Sequence, residues 1–360
     1  MIDLKLDSVA AYLREMYGPT AKLVAAGDIG TLDTQGIKRF GYGKPLLVHF
    51  TVEGRLQEGV LSVMRGDKYG HQFYWDRAAI LMFQFETSGR LDRHVKPLGL
   101  GYVDEDNRLV PVRGPREFFI FNEKLEGRDY HLDLERIRKE GLKPGDEALA
   151  REFARWLARV HGQKLADPDL YFRRIRDLIG SSECIMGLID EAFLHPFAAF
   201  SDERFAAVEK RLIDWRWKLR RYAHRLAAAH GDFHPWNVIV SDNGDFRVLD
   251  RSRGEWDEPA GDVSTMAINY LLFGLYDTPR LSGDFERLYR AYFEEYLAQT
   301  NDSEILEVMA PYFVFRGLVI ASPEWYPGHP EPVRQGLLRL IENVLADERF
   351  DWQDVNKYMV

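Results

Sequence analysis

The segment His230 to Asp250, HGDFHPWNVIVSDNGDFRVLD, holds the residues whose types and spacing could do chemistry. Asp232 is followed five positions later by Asn237, and Asp250 comes after two short apolar runs. Moving a phosphoryl group from a nucleotide to an alcohol needs a carboxylate that orients and deprotonates the attacking hydroxyl. It also needs oxygen ligands that hold Mg²⁺ against the phosphates. Asp232 meets the first need; Asn237 and Asp250 meet the second. The runs Asn237 to Val240 and Phe246 to Leu249 flank Ser241-Asp242-Asn243-Gly244-Asp245, a strong hairpin signal. Pairing two such strands brings the residue before the first close to the residue after the second. Asn237 and Asp250 therefore meet although thirteen positions separate them.

A metal reading competes. His230, Asp232 and His234 alternate, so on extended chain they share a face and could chelate an ion. No second histidine-rich segment completes such a site, and the Asn237 and Asp250 spacing would be left as coincidence. His230 reads instead as a residue bonding backbone in its own loop, Trp236 as packing, and Asp262 as a helix cap that fixes the loop. Gly41 and Gly43 could line phosphates, and a plain turn explains the same pattern.

The elements that must position these residues fall into two parts. Asp7 caps a helix with apolar positions Val9, Ala10, Leu13 and Met16. A strand at Leu46 to Val52, the tight connection Glu53-Gly54-Arg55, a returning strand at Val60 to Met64, a helix over Phe73 to Glu86, and strands at Leu98 to Val103 and Glu117 to Phe121 come next. Beyond residue 122 the pattern turns helical. Leu149, Phe153, Trp156, Leu157 and Val160 mark one helix face, and a long helix is expected over Asp202 to Ala229. Arg216, Lys218, Arg220, Arg221 and Arg225 read as its solvated face. Helices over Val263 to Phe273, Phe285 to Gln299, Ser303 to Ile320 and Pro332 to Ala346 complete the chain. The class is α+β, with a β-rich part over 1–122 and a helical part over 123–360.

Composition narrows the function. The 360 residues are 46% hydrophobic and 29% charged, an ordinary globular balance. Acidic residues outnumber basic ones, 57 to 48, giving a formal net charge of −9, which argues against a nucleic-acid partner. The single cysteine, Cys184, excludes an internal disulfide and a cysteine-built zinc cage, and a cytoplasmic location is expected. The first residues, MIDLKLDSVAAYLREMYG, lack the apolar core of a signal peptide, and the apolar run Phe313 to Ala321 is broken by Arg316, so no membrane association is expected. No feature of the sequence indicates an oligomeric state.

The spacing H-x-D-x-x-x-x-N followed by a metal-binding aspartate on a returning strand is similar to the protein-kinase catalytic loop. More closely, His230, Gly231, Asp232, His234, Asn237 and Asp250 resemble the H-G-D-x-H-x-x-N and distal aspartate of the aminoglycoside phosphotransferase and choline kinase-like family, and Pro259 with Gly261-Asp262 resembles its next helix start. The resemblance implies a protein-kinase-like bilobal fold: a small antiparallel-sheet N-lobe over 1–122 for the nucleotide, and a mostly helical C-lobe over 123–360 carrying the catalytic loop and acceptor site. It implies ATP and Mg²⁺ as cofactors and a small-molecule hydroxyl (aminoglycoside, sugar or amino-alcohol type) as acceptor. The stretch Phe119 to Gly127, FIFNEKLEG, resembles the family's hinge, so Phe121, Asn122 and Glu123 are implied adenine neighbours, with Gly41 and Gly43 near the phosphates. One departure stands out. The expected strand, Gly59 to Arg65, has Ser62 and Met64 where kinases of this kind place a phosphate-binding lysine. Arg65 is the favoured substitute and Lys68 the alternative, with Asp76 the acid of the next helix. The departure also admits a nucleotide-binding pseudokinase without useful turnover. A protein kinase proper is disfavoured, because no A-P-E sequence follows Asp250. The acidic and aromatic runs Glu255-Trp256-Asp257-Glu258 and Glu324-Trp325-Tyr326 are candidate acceptor contacts.

Overall fold

A computed structural model describes residues 5–28, 45–68, 70–90, 95–115, 117–118, 120, 122–253 and 255–360. The chain divides into two compact units, Met1–Asn122 and Glu123–Val360.

The first unit opens with α1 (Leu6–Tyr17), whose N-cap is Lys5; Asp7, expected to cap it, lies in the first turn instead. Strands β1 (Lys22–Asp28), β2 (Leu46–Val52) and β3 (Arg55–Leu61) form an antiparallel sheet in that order. Val9 and Leu13 of α1 pack with Ala21, Val48 and Phe50 as its core. Glu53 and Gly54 both take positive φ, the two-residue turn that matches strand twist, so Arg55 pairs at once with Val52. The returning strand therefore runs Arg55–Leu61, not Val60 to Met64. Its polar start, mostly exposed, hid it from an apolar pattern search. Helix α2 (Tyr74–Ser88) is next; the Asp76 carboxylate accepts the Phe73 backbone N–H at its start. A hairpin then joins β4 (Leu100–Val103) to β5 (Leu109–Val112) through a turn in which Asn107 takes a positive φ. The sequence pattern hid β5 because of Pro111, which an edge strand tolerates. Glu117, Phe118 and Ile120, expected in a strand, belong to none.

The second unit starts with the short β6 (Arg128–Asp129) leading into α3 (Tyr130–Glu140), then α4 (Asp146–His161), α5 (Pro168–Gly180), α6 (Ile185–Ala192) and α7 (Asp202–Leu219). Helices α3, α5 and α6 were not anticipated. Nor does α7 reach Ala229: it ends at Leu219 and passes through a 3₁₀ turn, Arg220–Arg225, into β7 (Ala227–Ala228). Arg225, expected on the solvated face, is buried instead. Its guanidinium donates to Glu258 at 2.9 and 3.0 Å and to Asp302 at 2.7 and 2.8 Å. A helix continuing past Leu219 would carry that side chain off this target.

Then come β8 (Val238–Val240) and β9 (Phe246–Val248), which join β6 in one antiparallel sheet, and β10 (Trp256–Asp257), paired with β7. The chain ends in α8 (Ala260–Leu275), α9 (Gly283–Thr300), α10 (Ala310–Ala321) and α11 (Glu331–Val344). Helix α8 is buried on every side from Val263 to Leu275, as a central helix without an outward polar face must be. Among the described residues, no helix is long and apolar enough to cross a membrane.

Candidate active site

The loop 230–237 is held by one buried carboxylate. Asp262, in the first turn of α8, accepts the backbone N–H of His230 on Oδ2 (2.7 Å) and that of Gly231 on Oδ1 (2.8 Å). His161, at the end of α4, lies 3.2 Å from Asp262 Oδ2 through Nε2 and 2.8 Å from Tyr296 Oη through Nδ1. An ionised carboxylate only accepts, so Nε2 donates to it, and Nδ1 pairs with the Tyr296 hydroxyl. Burial pushes the Asp262 carboxyl up, but His161 and the His230 backbone outweigh it and hold it below the ordinary aspartate range.

Inside the loop, His230 Nδ1 accepts the Asp232 N–H at 3.2 Å, and the Asp232 carbonyl accepts from His234 N at 2.9 Å and from Asn237 Nδ2 at 3.0 Å. His234 Nδ1 likewise accepts the Trp236 N–H at 3.2 Å. These ring nitrogens thus serve the backbone. Among the described residues no group of three or more His, Cys, Asp or Glu gathers as a metal site.

Strands β8 and β9 pair Val238 with Val248, and Leu249 N–H donates to the Asn237 carbonyl at 2.9 Å. Asn237 thus sits opposite Leu249, one residue from Asp250, whose φ of 55° is left-handed. The amide donation of Asn237 to Asp232 commits its nitrogen and leaves the amide oxygen for a cation. Two hard oxygen donors of this kind suit Mg²⁺, which takes one or two protein ligands and fills its other positions from phosphates and water.

Asp232 is not an isolated carboxylate. Arg316 Nη1 lies 2.6 Å from its Oδ1, with the two side chains 7% and 10% exposed. The approach is close but off the hydrogen-bond axis, so Oδ1 is held by charge more than by direction. Arg253 Nε and His234 Nε2 stand 3.6 and 3.8 Å from Oδ2. Burial pushes the Asp232 carboxyl up, but Arg316, then His234 and Arg253, more than offset this and hold it below the ordinary range. His234 is itself pushed down to about 4 by burial, so near pH 7 the two arginines supply the positive charge.

Residues 81–303, well over half of the chain, match the model of the Phosphotransferase enzyme family. This chain belongs to that family. The match spans the whole 230–250 segment and Asp262, and it stops short of Arg316. Among solved structures, choline kinase LicA from Streptococcus pneumoniae is 13% identical, covering 94% of this chain and 98% of that one at a TM-score of 0.35. An ethanolamine kinase of Plasmodium vivax is 14% identical over 93% and 80%, with a TM-score of 0.35. A glucosamine kinase in complex with glucosamine, ADP and inorganic phosphate is 15% identical over 100% and 97%, with a TM-score of 0.36. No curated protein matches. Likenesses this distant carry no functional weight, and the family match alone supports a function.

The remaining expected positions are scattered in what can be said of them. Gly41, Gly43 and Phe121 lie outside the described residues. Asn122 and Glu123 are exposed, and Glu123 pairs with Arg247 at 3.7 Å. Arg65 is exposed in irregular chain, four residues past the end of β3. Glu258, a candidate acceptor contact, is instead buried against Arg225. Asp257 lines a cavity of about 60 Å³ beside the 230–237 loop, together with Arg174, Arg253, Tyr312 and Arg316. Burial pushes the Asp257 carboxyl up to about 7, against the pull of Arg174. The Tyr312 hydroxyl and Arg253 Nε are buried and have no hydrogen-bond partner among the described residues.

Sequence reasoning passed over Arg316 and Arg253. Arg316 did leave a signal: it is the one charge in the apolar run Phe313 to Ala321. A buried charge demands a counter-charge, and the search for its partner leads to Asp232.

Proposed function

We propose that this member of the phosphotransferase family moves the γ-phosphoryl group of ATP to a hydroxyl of a small polar molecule, within a protein-kinase-like bilobal organisation. The observation that carries the reading is the convergence of Asp232, Asn237 and Asp250 on one anchored loop and hairpin inside the family-matched region. Asp232 orients the acceptor hydroxyl and takes its proton as the new O–P bond forms. The bond from phosphorus to the departing ADP oxygen breaks, and ADP leaves with that electron pair. A carboxylate flanked by two arginines is a weak base. A loose phosphoryl-transfer transition state asks mainly for positioning, so a weak base suffices. Asn237 and Asp250 would hold Mg²⁺, which would supply positive charge against the phosphates.

Metal binding tests the assignment. Asp250→Ala is expected to weaken Mg²⁺-dependent ATP binding strongly, and Asn237→Ala less, a neutral amide being the weaker ligand. Titration calorimetry of both variants with Mg·ATP reads this. Parent-like isotherms for both would remove the pair from the metal site.

The nucleotide-binding role falls to residues 1–122, with Gly41, Gly43, Arg65 and the hinge backbone at Phe121 and Asn122 as its contacts, joined by Glu123 at the start of the second unit. Because β3 ends at Leu61, Arg65 is freed from strand alternation, and its fork suits phosphate oxygens. Arg65→Ala or Lys68→Ala, but not both, is expected to raise the KM for ATP severalfold in steady-state assays, with Arg65 the favoured one. No change in either variant would mean that backbone amides and Mg²⁺ hold the phosphates. The absence of lysine from β3, RLQEGVL, is the one observation favouring a pseudokinase. Tight nucleotide binding without turnover on any of a panel of small alcohols would decide for it.

A further inference from the structure

We propose that Arg316 is a positioning residue for phosphoryl transfer: from α10 it holds one carboxylate oxygen of Asp232, so that the other is the one presented to the acceptor hydroxyl. The inference rests on the role of Asp232 proposed above. It adds a residue from a helix beyond position 303, where the family match ends.

The geometry is that of a built support. Arg316 Nη1 stands 2.6 Å from Asp232 Oδ1, and its Nη2 donates to the Gly231 carbonyl at 3.3 Å, so one guanidinium touches two neighbouring residues of the loop. The guanidinium also lies over the Phe315 ring, 4.6 Å from its centroid. Its own platform is firm. Helix α10 packs on α11 through Gly317, where an added Cβ would come within 2.8 Å of Ile341 Cγ1, so the helices approach at the residue next to Arg316. The second oxygen, Oδ2, has Arg253 at 3.6 Å and His234 at 3.8 Å, neither close enough for a hydrogen bond. From the other side Asp262 fixes the loop backbone at His230 and Gly231. Asp232 is thus held at Oδ1 by the charge of Arg316 and by its backbone hydrogen bonds, which leaves Oδ2 as the atom to receive the acceptor's proton when the acceptor oxygen bonds phosphorus and ADP departs.

The distinction matters because near-attack geometry tolerates little error. A misplacement of about 1 Å can cost roughly 10²-fold in rate. A lysine at 316 would keep the charge, but as a point charge it lacks the fork that reaches both Asp232 and Gly231.

Arg316→Gln and Arg316→Lys are compared with the parent in steady-state phosphoryl transfer, with near-ultraviolet circular dichroism giving the folded fraction. The expected result for Arg316→Gln is a fall in kcat per folded molecule of roughly 10²-fold, with the KM values for ATP and acceptor changing little. Arg316→Lys is expected to recover part of the lost kcat. Should Arg316→Gln not fold, a fall in kcat at unchanged KM in Arg316→Lys carries the same conclusion. A purely structural arginine would lower the folded fraction and leave kcat per folded molecule alone, and that outcome, or a loss confined to KM, overturns the proposal. An active parent with unaffected variants removes this inference only; a parent without turnover removes the functional reading and the inference with it.

Discussion

Asp232→Asn is expected to lower phosphoryl transfer by roughly 10²- to 10⁴-fold, the usual worth of a positioned proton acceptor, while Mg·ATP still binds. The amide keeps the shape of the carboxylate and cannot take the proton. It also changes the electrostatics of the site. The parent carboxylate faces Arg316 at 2.6 Å and Arg253 at 3.6 Å, both largely removed from water. Neutralising it deprives Arg316 of its nearest counter-charge, while Arg253 keeps Glu183 at 3.8 Å. Removing one partner of a buried pair commonly costs about 3–5 kcal/mol, and asparagine, still offering a carbonyl oxygen, should fall near the low end. Turnover must therefore be measured well below the variant's melting temperature, with calorimetric binding of Mg·ATP as the control. Wild-type turnover in a folded Asp232→Asn protein would take Asp232 out of the mechanism.

Asp262→Ala is expected to be the most destabilising single change in the site. It orphans two backbone N–H groups, at His230 and Gly231, and the Nε2–H of His161, and the burial of His230 and His161 keeps water from replacing the acceptor there. Loss of a buried, charged and hydrogen-bonded partner costs about 3–5 kcal/mol, enough to shift a urea unfolding midpoint by more than about 1 M at typical slopes of roughly 1–3 kcal/mol per M. The pH dependence has a definite sign. Asp262 titrates below the ordinary range in the folded chain, against about 3.9 when unfolded. Its contribution is therefore complete above that unfolded value and is lost as pH falls through the depressed folded one. The gap in stability between parent and variant should be constant from about pH 7 down to about 5 and shrink only at more acid pH. Equal midpoints at neutral pH would show that the loop is anchored elsewhere.

These two residues differ in how they could be found. Asp232, Asn237 and Asp250 are legible in one stretch of 21 residues, because a hairpin is a local structure whose turn sets its own register. The same locality let Leu46–Val52 and the helical face around Phe153 be read from pattern alone. The third strand and β5 were misread where the pattern ran against local rules: β3 begins with exposed polar residues, and β5 carries a proline.

The arginines mark the boundary between sequence and tertiary structure. On a helical wheel Arg216, Lys218 and Arg225 look alike, since composition records a charge and not its partner. Arg225 turns inward because Glu258 and Asp302, 33 and 77 positions away, meet there to receive it. Arg316 reaches Asp232 across 84 residues, and no local propensity encodes that distance. The sequence by itself determined that Asn237 and Asp250 flank one hairpin, because the turn of a hairpin sets its own register. Which charge holds the Asp232 carboxylate was decided by the packing of α10 against the rest of its unit, because a buried ion pair forms only where distant elements exclude water from both partners at once.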